Sequence, residues 1–295
     1  MAIIKLKSER VIEFIMLLCS LVSVLTTLGI ILVLSVDTVK FFKDVSIIDF
    51  VTDTQWTPLF EDKHFGILPL LSGTLLTTFI ATLVAVPVGI TIAVYLNEYA
   101  SKKFTAVVKP LLEVLAAIPT VVYGFFALQF VTPLLQKFIP DLAGFNALSP
   151  GLVMGVMIIP YITSLSEDAL RAVPNSLREA SYGLGANRFQ TAFKVMVPAA
   201  NSGIIVSVIL AVSRALGETM IVAIAAGQQP KLTFNPLESV ETITTYIVQV
   251  SMGDVPQDSL EYRTIFAAGI TLFLFTFLLN NISFWIRKKY SQRYE

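Results

Sequence analysis

Cysteine and histidine are nearly missing from this chain: Cys19 and His64 each stand alone in 295 residues. An internal disulfide needs two cysteines and a zinc or haem site needs a ligand cluster, so neither is expected. Charge is scarce as well, at 14%, and its two signs balance at 21 residues each, leaving no net field for nucleic acid or acidic lipid. No G-x-x-x-x-G-K-[ST] phosphate loop occurs. Gly183-Leu184-Gly185 fails as a dinucleotide fingerprint, because Arg188 occupies the last glycine position and no strand precedes it. Nor does the chain contain a metal cluster, a nucleophile elbow or an acid–base constellation, so an enzyme with its own cofactor is not expected.

What is abundant is apolar surface. Hydrophobic residues make up 55% of the chain and the mean hydropathy is +0.75, beyond what a soluble domain can bury. A helix of about 20 residues crosses the hydrocarbon core, and six stretches qualify: about 11–36, 67–96, 108–135, 149–167, 202–226 and 264–286. The fold expected is therefore an all-α integral membrane protein with six transmembrane helices. Met16-Leu17-Leu18-Cys19 lacks the small residue that a lipoprotein box requires before its cysteine. The first apolar run exceeds a cleavable signal core and has no A-x-A site, so it reads as a retained span. Pro87, Gly89, Pro119, Gly124 and Pro160 fall inside spans, as hinges or as close packing points.

Lysine and arginine collect on one side of these spans. The N-terminal tail holds Lys5, Lys7 and Arg10, the second-to-third connection Lys102, Lys103 and Lys109, the fourth-to-fifth Arg171, Arg178, Arg188 and Lys194, and the C-terminal tail Arg287, Lys288, Lys289 and Arg293. The opposite loops hold only Lys40, Lys43, Lys63, Lys137, Lys231 and Arg263. By the positive-inside rule both termini face the cytoplasm. The chain divides into residues 1–66, a first span with an acidic outer loop carrying Trp56 and His64, and 67–295, a core with a long inner connection at about 168–200. In that connection Leu170, Val173, Leu177, Ala180, Leu184 and Phe189 lie near helical spacing, and Pro174-Asn175 marks a break between two short helices.

The inner connection reads Glu179-Ala180-Ser181-Tyr182-Gly183-Leu184-Gly185, nine further residues, then Val195-Met196-Val197-Pro198. A short helix with a small-residue face can seat in a partner's groove, and Gly185 can close it in a conformation other residues avoid. A lone amphipathic helix on the membrane surface is the bland alternative. The spacing resembles the EAA loop of ABC importer permeases: Glu179, Ala180, Gly185 and Pro198 match that pattern, and Ser181, Val195 and Val197 are conservative departures. The resemblance implies the MetI-like architecture of type I importers, with ATP and magnesium bound by separate subunits.

Arg214 falls near the middle of the fifth span, where insertion of an arginine costs about 2.5–3.5 kcal/mol, so a function is the default reading. Glu218 lies one helical turn further, on the same face of a continuous helix. A neutralising ion pair explains both residues structurally. The functional reading is a station for an anion: guanidinium grips two oxygens of a tetrahedral oxyanion, and Glu218 occupies it when the path is empty.

Ser213-Arg214-Ala215-Leu216-Gly217-Glu218-Thr219 and Glu113 through Gly124 are similar to the phosphate-specific (Pst) permeases, the latter stretch and Phe65-Gly66-Ile67-Leu68-Pro69-Leu70 most like the PstC subunit. The likeness runs from about Phe65 to the end of the last helix. It implies a bacterial or archaeal inner-membrane importer of inorganic phosphate. Such an importer pairs the chain with a PstA-like second permease, two PstB-like ATP-binding subunits and an extracytoplasmic PstS-like phosphate-binding protein. It also nominates Arg214 and Glu218 for phosphate passage, with Glu113, Thr120 and Tyr123 as further pathway candidates; helix packing accounts equally for Thr120 and Tyr123. Two other readings stay open: a permease for sulfate or molybdate, and a membrane sensor or scaffold of phosphate status.

Overall fold

A computed structural model describes residues 2–290, and most of them are helical. In chain order the helices are α1 (Ala2–Asp44), α2 (Ile47–Thr52), α3 (Leu68–Glu98), α4 (Lys102–Ala117), α5 (Thr120–Phe126), α6 (Thr132–Gln136), α7 (Leu148–Arg171), α8 (Asn175–Gly183), α9 (Arg188–Thr191), α10 (Val197–Ala199), α11 (Asn201–Leu216), α12 (Met220–Ala225), α13 (Ile243–Met252) and α14 (Leu260–Tyr290). Among the described residues the only β contacts are two isolated bridges, Trp56 with Phe65 and Gly227 with Val240. Of the basic residues that set the expected orientation, Arg293 lies outside the described residues, as do the side chains of Lys5, Lys7, Arg10, Arg287, Lys288 and Lys289.

Among the described residues four helices are long and apolar enough to cross a bilayer unbroken: α1, α3, α7 and α14. Two bent pairs bring the number to six if each crosses once. The third span is therefore not one helix over 108–135: α4 and the α5–α6 segment meet at 84°. Proline is the cause. Pro119 drives Ile118 into the extended region (φ −61°, ψ 130°) and ends α4. The fifth span departs in the same way from a single helix over 202–226, since α11 stops at Leu216 and α12 starts at Met220. A 71° bend also separates Arg188–Ala199 from α11.

Two further prolines sit just after π turns. Thr132 N–H donates to Ala127 O before Pro133, and Val197 N–H donates to Ala192 O before Pro198, each five residues back. A proline ring crowds the carbonyl four residues earlier, and the wider turn relieves that crowding without ending the helix.

The centre of the bundle is the parallel pair α3 and α7. Gly89 faces Ile162, Gly151 faces Ile80, and a Cβ at Gly155 would meet the Ala81 carbonyl at 2.9 Å. Small residues thus let the two backbones approach as membrane helices do, with Ala81, Ala85 and Ala93 wholly buried. The many threonines of α3 do not spoil an apolar helix: Thr74, Thr77, Thr82 and Thr91 each return a hydroxyl hydrogen to the carbonyl four residues back. Antiparallel to α7, α11 is pinned by a 2.7 Å Ser166–Ser207 hydroxyl contact. Beyond it Ser213 donates to Asn280 on α14 at 3.2 Å, and α1 lies outermost, its most apolar stretch unburied and fit to face lipid.

The segment expected as an outer loop from Asp37 is partly helix, because α1 continues to Asp44. Its remainder folds onto α13: Trp56, 1% exposed, meets Phe50 edge-on at 6.2 Å and Tyr246 at 5.0 Å. His64 Nδ1 lies 2.8 Å from Asp53 Oδ2, and this hydrogen bond, with the charges of Asp53 and Asp62, raises the His64 pKa above its ordinary 6.5 despite the opposing desolvation. Burial pushes Asp53 upward, but the His64 hydrogen bond and the Gln55 amide outweigh it and hold the carboxyl below its usual range.

The signs bound a window. Stability from the raised His64 is complete below about pH 6.5 and lost as pH climbs through its folded pKa; that from the depressed Asp53 disappears as pH falls through the acid range. Because His64 is the only histidine, its ring resonance in a proton NMR titration is unambiguous. The midpoint is expected above 6.5 in the parent and to drop in Asp53→Asn; equal midpoints would disprove the contact.

Candidate functional site

Arg214 and Glu218 are separated by the break in the fifth span. Gly217 (φ −90°, ψ 3°) ends α11, and the Glu218 amide turns back to the Ala215 carbonyl at 3.1 Å. The two residues therefore do not share one face of a continuous helix, and among the described residues no carboxylate lies within 4.0 Å of the Arg214 guanidinium. Each charge instead suits the helix end it occupies. Arg214 is in the last turn of α11, at the negative end of its dipole. The Glu218 carboxylate accepts from the Met220 amide at 3.1 Å and, more weakly, from Ile221 at 3.4 Å at the start of α12. Thr244 donates to the Glu218 carbonyl at 2.9 Å, so the break is stitched to α13.

Arg214 is exposed into a cavity of about 350 Å³ between α4, α7 and α11. Glu113 and Lys109 line it from α4, and Tyr161, Thr163, Ser164 and Glu167 from α7. A water takes about 30 Å³, so there is room for a hydrated oxyanion. The cavity unites Arg214 with Glu113; Glu218, Thr120 and Tyr123 are not among its lining residues.

Tyr123 has another task. A carbonyl at position 115 would accept from the amide at 119, but residue 119 is proline and has none. The Tyr123 hydroxyl supplies that hydrogen at 2.7 Å from Leu115 O, and so ties α5 to α4 across the bend. Next to it, a Cβ on Gly124 would meet Ile224 at 2.8 Å, so α5 lies close against α12.

Glu167 is the residue that hydrophobic span counting passes over. It is 1% exposed, with Lys109 Nζ 2.8 Å from Oε2 and Arg171 NH2 2.7 Å from Oε1. The Arg171 approach is out of line for a hydrogen bond and acts through charge alone. A signal existed in the spacing: Glu167 and Arg171 are four residues apart at the end of an apolar helix, which α7 extends to Arg171 rather than stopping at 167. Pro174 then separates α7 from α8, so the first short helix expected in the connection is the end of α7 itself.

In α8 the signature residues take distinct places. Glu179 and Ala180 are exposed, whereas Ser181 is buried and shares a 2.9 Å hydrogen bond with Thr191 of α9. A serine where the family pattern has alanine thus fastens two short helices together. Gly185 follows with φ +82°, the left-handed turn that favours glycine. Leu184 is 89% exposed, and Phe189 and Phe193 are exposed beside it.

A family model described as the inner membrane component of binding-protein-dependent transport systems matches residues 85–295. The chain belongs to that family. A probable ABC transporter permease of Bacillus subtilis, YqgH, is 37% identical over 88% of this chain and 84% of its own length. Phosphate transport system permease proteins PstC of Haemophilus influenzae and Mesorhizobium japonicum are 33% and 32% identical, over 77% and 78% of this chain and 76% and 75% of theirs. Among solved structures, a bacterial alginate ABC transporter superposes with a TM-score of 0.60 at 17% identity, covering 88% of both chains. A methionine ABC transporter chain superposes at 0.53 and 18% identity, covering 75% of this chain and 94% of that one, which supports the MetI-like fold. The chain is thus an ABC permease of the PstC-related kind, an integral membrane protein of multiple helices.

In this permease the bend at Pro119 makes a stability prediction. Tyr123→Phe leaves the Leu115 carbonyl unpartnered, which costs about 1–3 kcal/mol. A lower thermal midpoint of the purified variant in detergent is the expected outcome, and a melting curve superimposable on the parent's refutes the assignment.

Proposed function

We propose that this chain is the permease subunit that carries inorganic phosphate into the cytoplasm. ATP is hydrolysed by two separate PstB-like subunits, and a PstS-like extracytoplasmic protein delivers the anion. A PstA-like second permease completes the pathway. Both termini and α8 are cytoplasmic, as the lysine and arginine distribution supports. The observation that carries the proposal is the Arg214 guanidinium, which has no carboxylate within 4.0 Å among the described residues and opens to a cavity. A charge so placed is costly unless an anion visits it.

Phosphate, rather than sulfate, suits the cavity walls. Glu113 shares the space with Arg214 and Lys109, and a carboxylate repels a fully deprotonated dianion while accepting a hydrogen bond from a protonated phosphate oxygen. The phosphate-named PstC relatives point the same way.

Motion enters at α8. Its exposed Glu179, Ala180 and the Leu184–Phe189 surface dock on an ATPase subunit. Arg178 NH2 lies 2.7 Å from Glu98 Oε1, a carboxylate with only 2% of its side chain exposed, and so joins α8 to the end of α3. Closure of the ATPase pair then turns α3 and its tightly packed partner α7 together, exposing Arg214 first to one side and later to the other. Glu218 holds α12 across the break while that happens.

The test is labelled phosphate uptake by the assembled complex in proteoliposomes, with excess sulfate as competitor. Arg214→Ala is expected to lower phosphate flux roughly tenfold to a hundredfold, the worth of a charge-assisted hydrogen bond. Sulfate should compete poorly. A fully assembled Arg214→Ala complex that transports at the parental rate, or a parent that prefers sulfate, refutes the reading.

A further inference from the structure

Lys109 borders two cavities. On one side is the Arg214 cavity; on the other is a second space of about 540 Å³, lined by Lys102, Lys109, Thr105 and Arg171 among others, at the α8 end of the bundle. No carboxylate lines this second cavity. Lys109 is the one residue common to both linings, and in this state its ammonium is held 2.8 Å from the buried carboxylate of Glu167.

We propose that Lys109 and Glu167 form an exchange gate on the cytoplasmic side of Arg214, in which the departing oxyanion replaces Glu167 on Lys109 and passes into the basic vestibule. The inference rests on the phosphate-permease reading and adds an exit station to it. Several features make the exchange physically sound. Glu167 is a resident anion, so the Lys109 charge is compensated whenever the path is empty. Its second oxygen lies 2.7 Å from Arg171 without a hydrogen bond, so Glu167 keeps a cationic neighbour when Lys109 lets go. Lys109 reaches the pair on a flexible four-carbon stem, and its side chain is one-third exposed, so the ammonium can swing between carboxylate and oxyanion. A compact ammonium also holds phosphate as a point charge rather than in a bidentate fork, which suits release after the firmer grip of Arg214. Beyond the gate Lys102 and Arg171 supply a favourable field with no carboxylate of the lining to repel the anion.

A purely structural ion pair predicts something different, because replacing both members of a buried pair with apolar side chains of similar size is often neutral, whereas breaking one member is costly. Four complexes, each checked for stoichiometric assembly with the partner permease and ATPase subunits, are compared for phosphate flux in proteoliposomes: the parent, Lys109→Met, Lys109→Arg and the double variant Lys109→Met with Glu167→Met. Relay predicts that the double variant assembles yet remains roughly tenfold to a hundredfold slow, like Lys109→Met, while Lys109→Arg recovers most of the flux. A double variant at the parental rate overturns the gate and leaves the pair structural. If the parent itself carries no phosphate, the phosphate reading falls and the gate with it; slow Arg214→Ala beside a fast double variant removes the gate alone.

Discussion

A backbone amide or carbonyl left without a partner in hydrocarbon costs several kcal/mol, and at two breaks in this permease a side chain supplies the partner that the helix cannot. At Pro119 the missing amide orphans the Leu115 carbonyl, and Tyr123 fills the gap from the next helix. At Gly217 the α12 amides lose their upstream carbonyls, and the Glu218 carboxylate caps them while the Thr244 hydroxyl donates to the Glu218 carbonyl. The first break opens α5 and the second opens α12, and these two helices pack together at Gly124. Neither bend is a random defect: each has a side chain dedicated to it, so the bends persist as fixed architecture on which a site can be built.

Charge follows the same logic. Arginine at the end of α11 and glutamate at the start of α12 are each stabilised by a helix terminus, which frees Arg214 from needing Glu218 as a counterion. A continuous helix would have presented the two charges to each other one turn apart, and a mutually neutralised pair attracts an anion weakly. The break therefore turns what reads in sequence as an ion pair into one open cation. Glu167 is the contrasting case, a carboxylate almost wholly enclosed and flanked by two cations. Open positive charge on one side of Lys109 and paired positive charge at it give the cavity a direction.

The unbroken spans were legible because a long apolar run needs no tertiary partner, and Leu68–Glu98 lies within a few residues of the stretch expected from 67 to 96, whereas the third and fifth stretches, expected as single helices, are broken. Arg214 is visible in its apolar run, but its place in the last turn of α11, rather than mid-helix, is not. The bends were half legible: Pro119 and Gly217 are visible, but whether a bilayer helix tolerates them depends on partners such as Tyr123 and Thr244, which lie 4 and 27 residues further along. Glu167 stayed hidden because its meaning comes from Lys109 on another helix. Phe41, Phe50 and Trp56 follow no regular spacing and Tyr246 is far away in sequence, so the aromatic packing of residues 41–67 on α13 had no periodic signal.

Under the proposed function, the α3–α7 contact decides how motion travels. Where even a Cβ added at Gly155 would meet the Ala81 carbonyl at 2.9 Å there is little slack, since a sliding helix must first lift its neighbour away. A pull on Glu98 through Arg178 is therefore passed on to α7 as a rigid shift rather than absorbed between the two helices. Glu167 rides on α7, whereas Lys109 rides on α4, none of whose residues is buried and which meets its continuation at 84°. The two halves of the exchange gate thus belong to bodies of unequal rigidity. A rotation of the α3–α7 unit that α4 does not follow changes the 2.8 Å separation between them, so under the proposed gate the exit opens with the movement of α7.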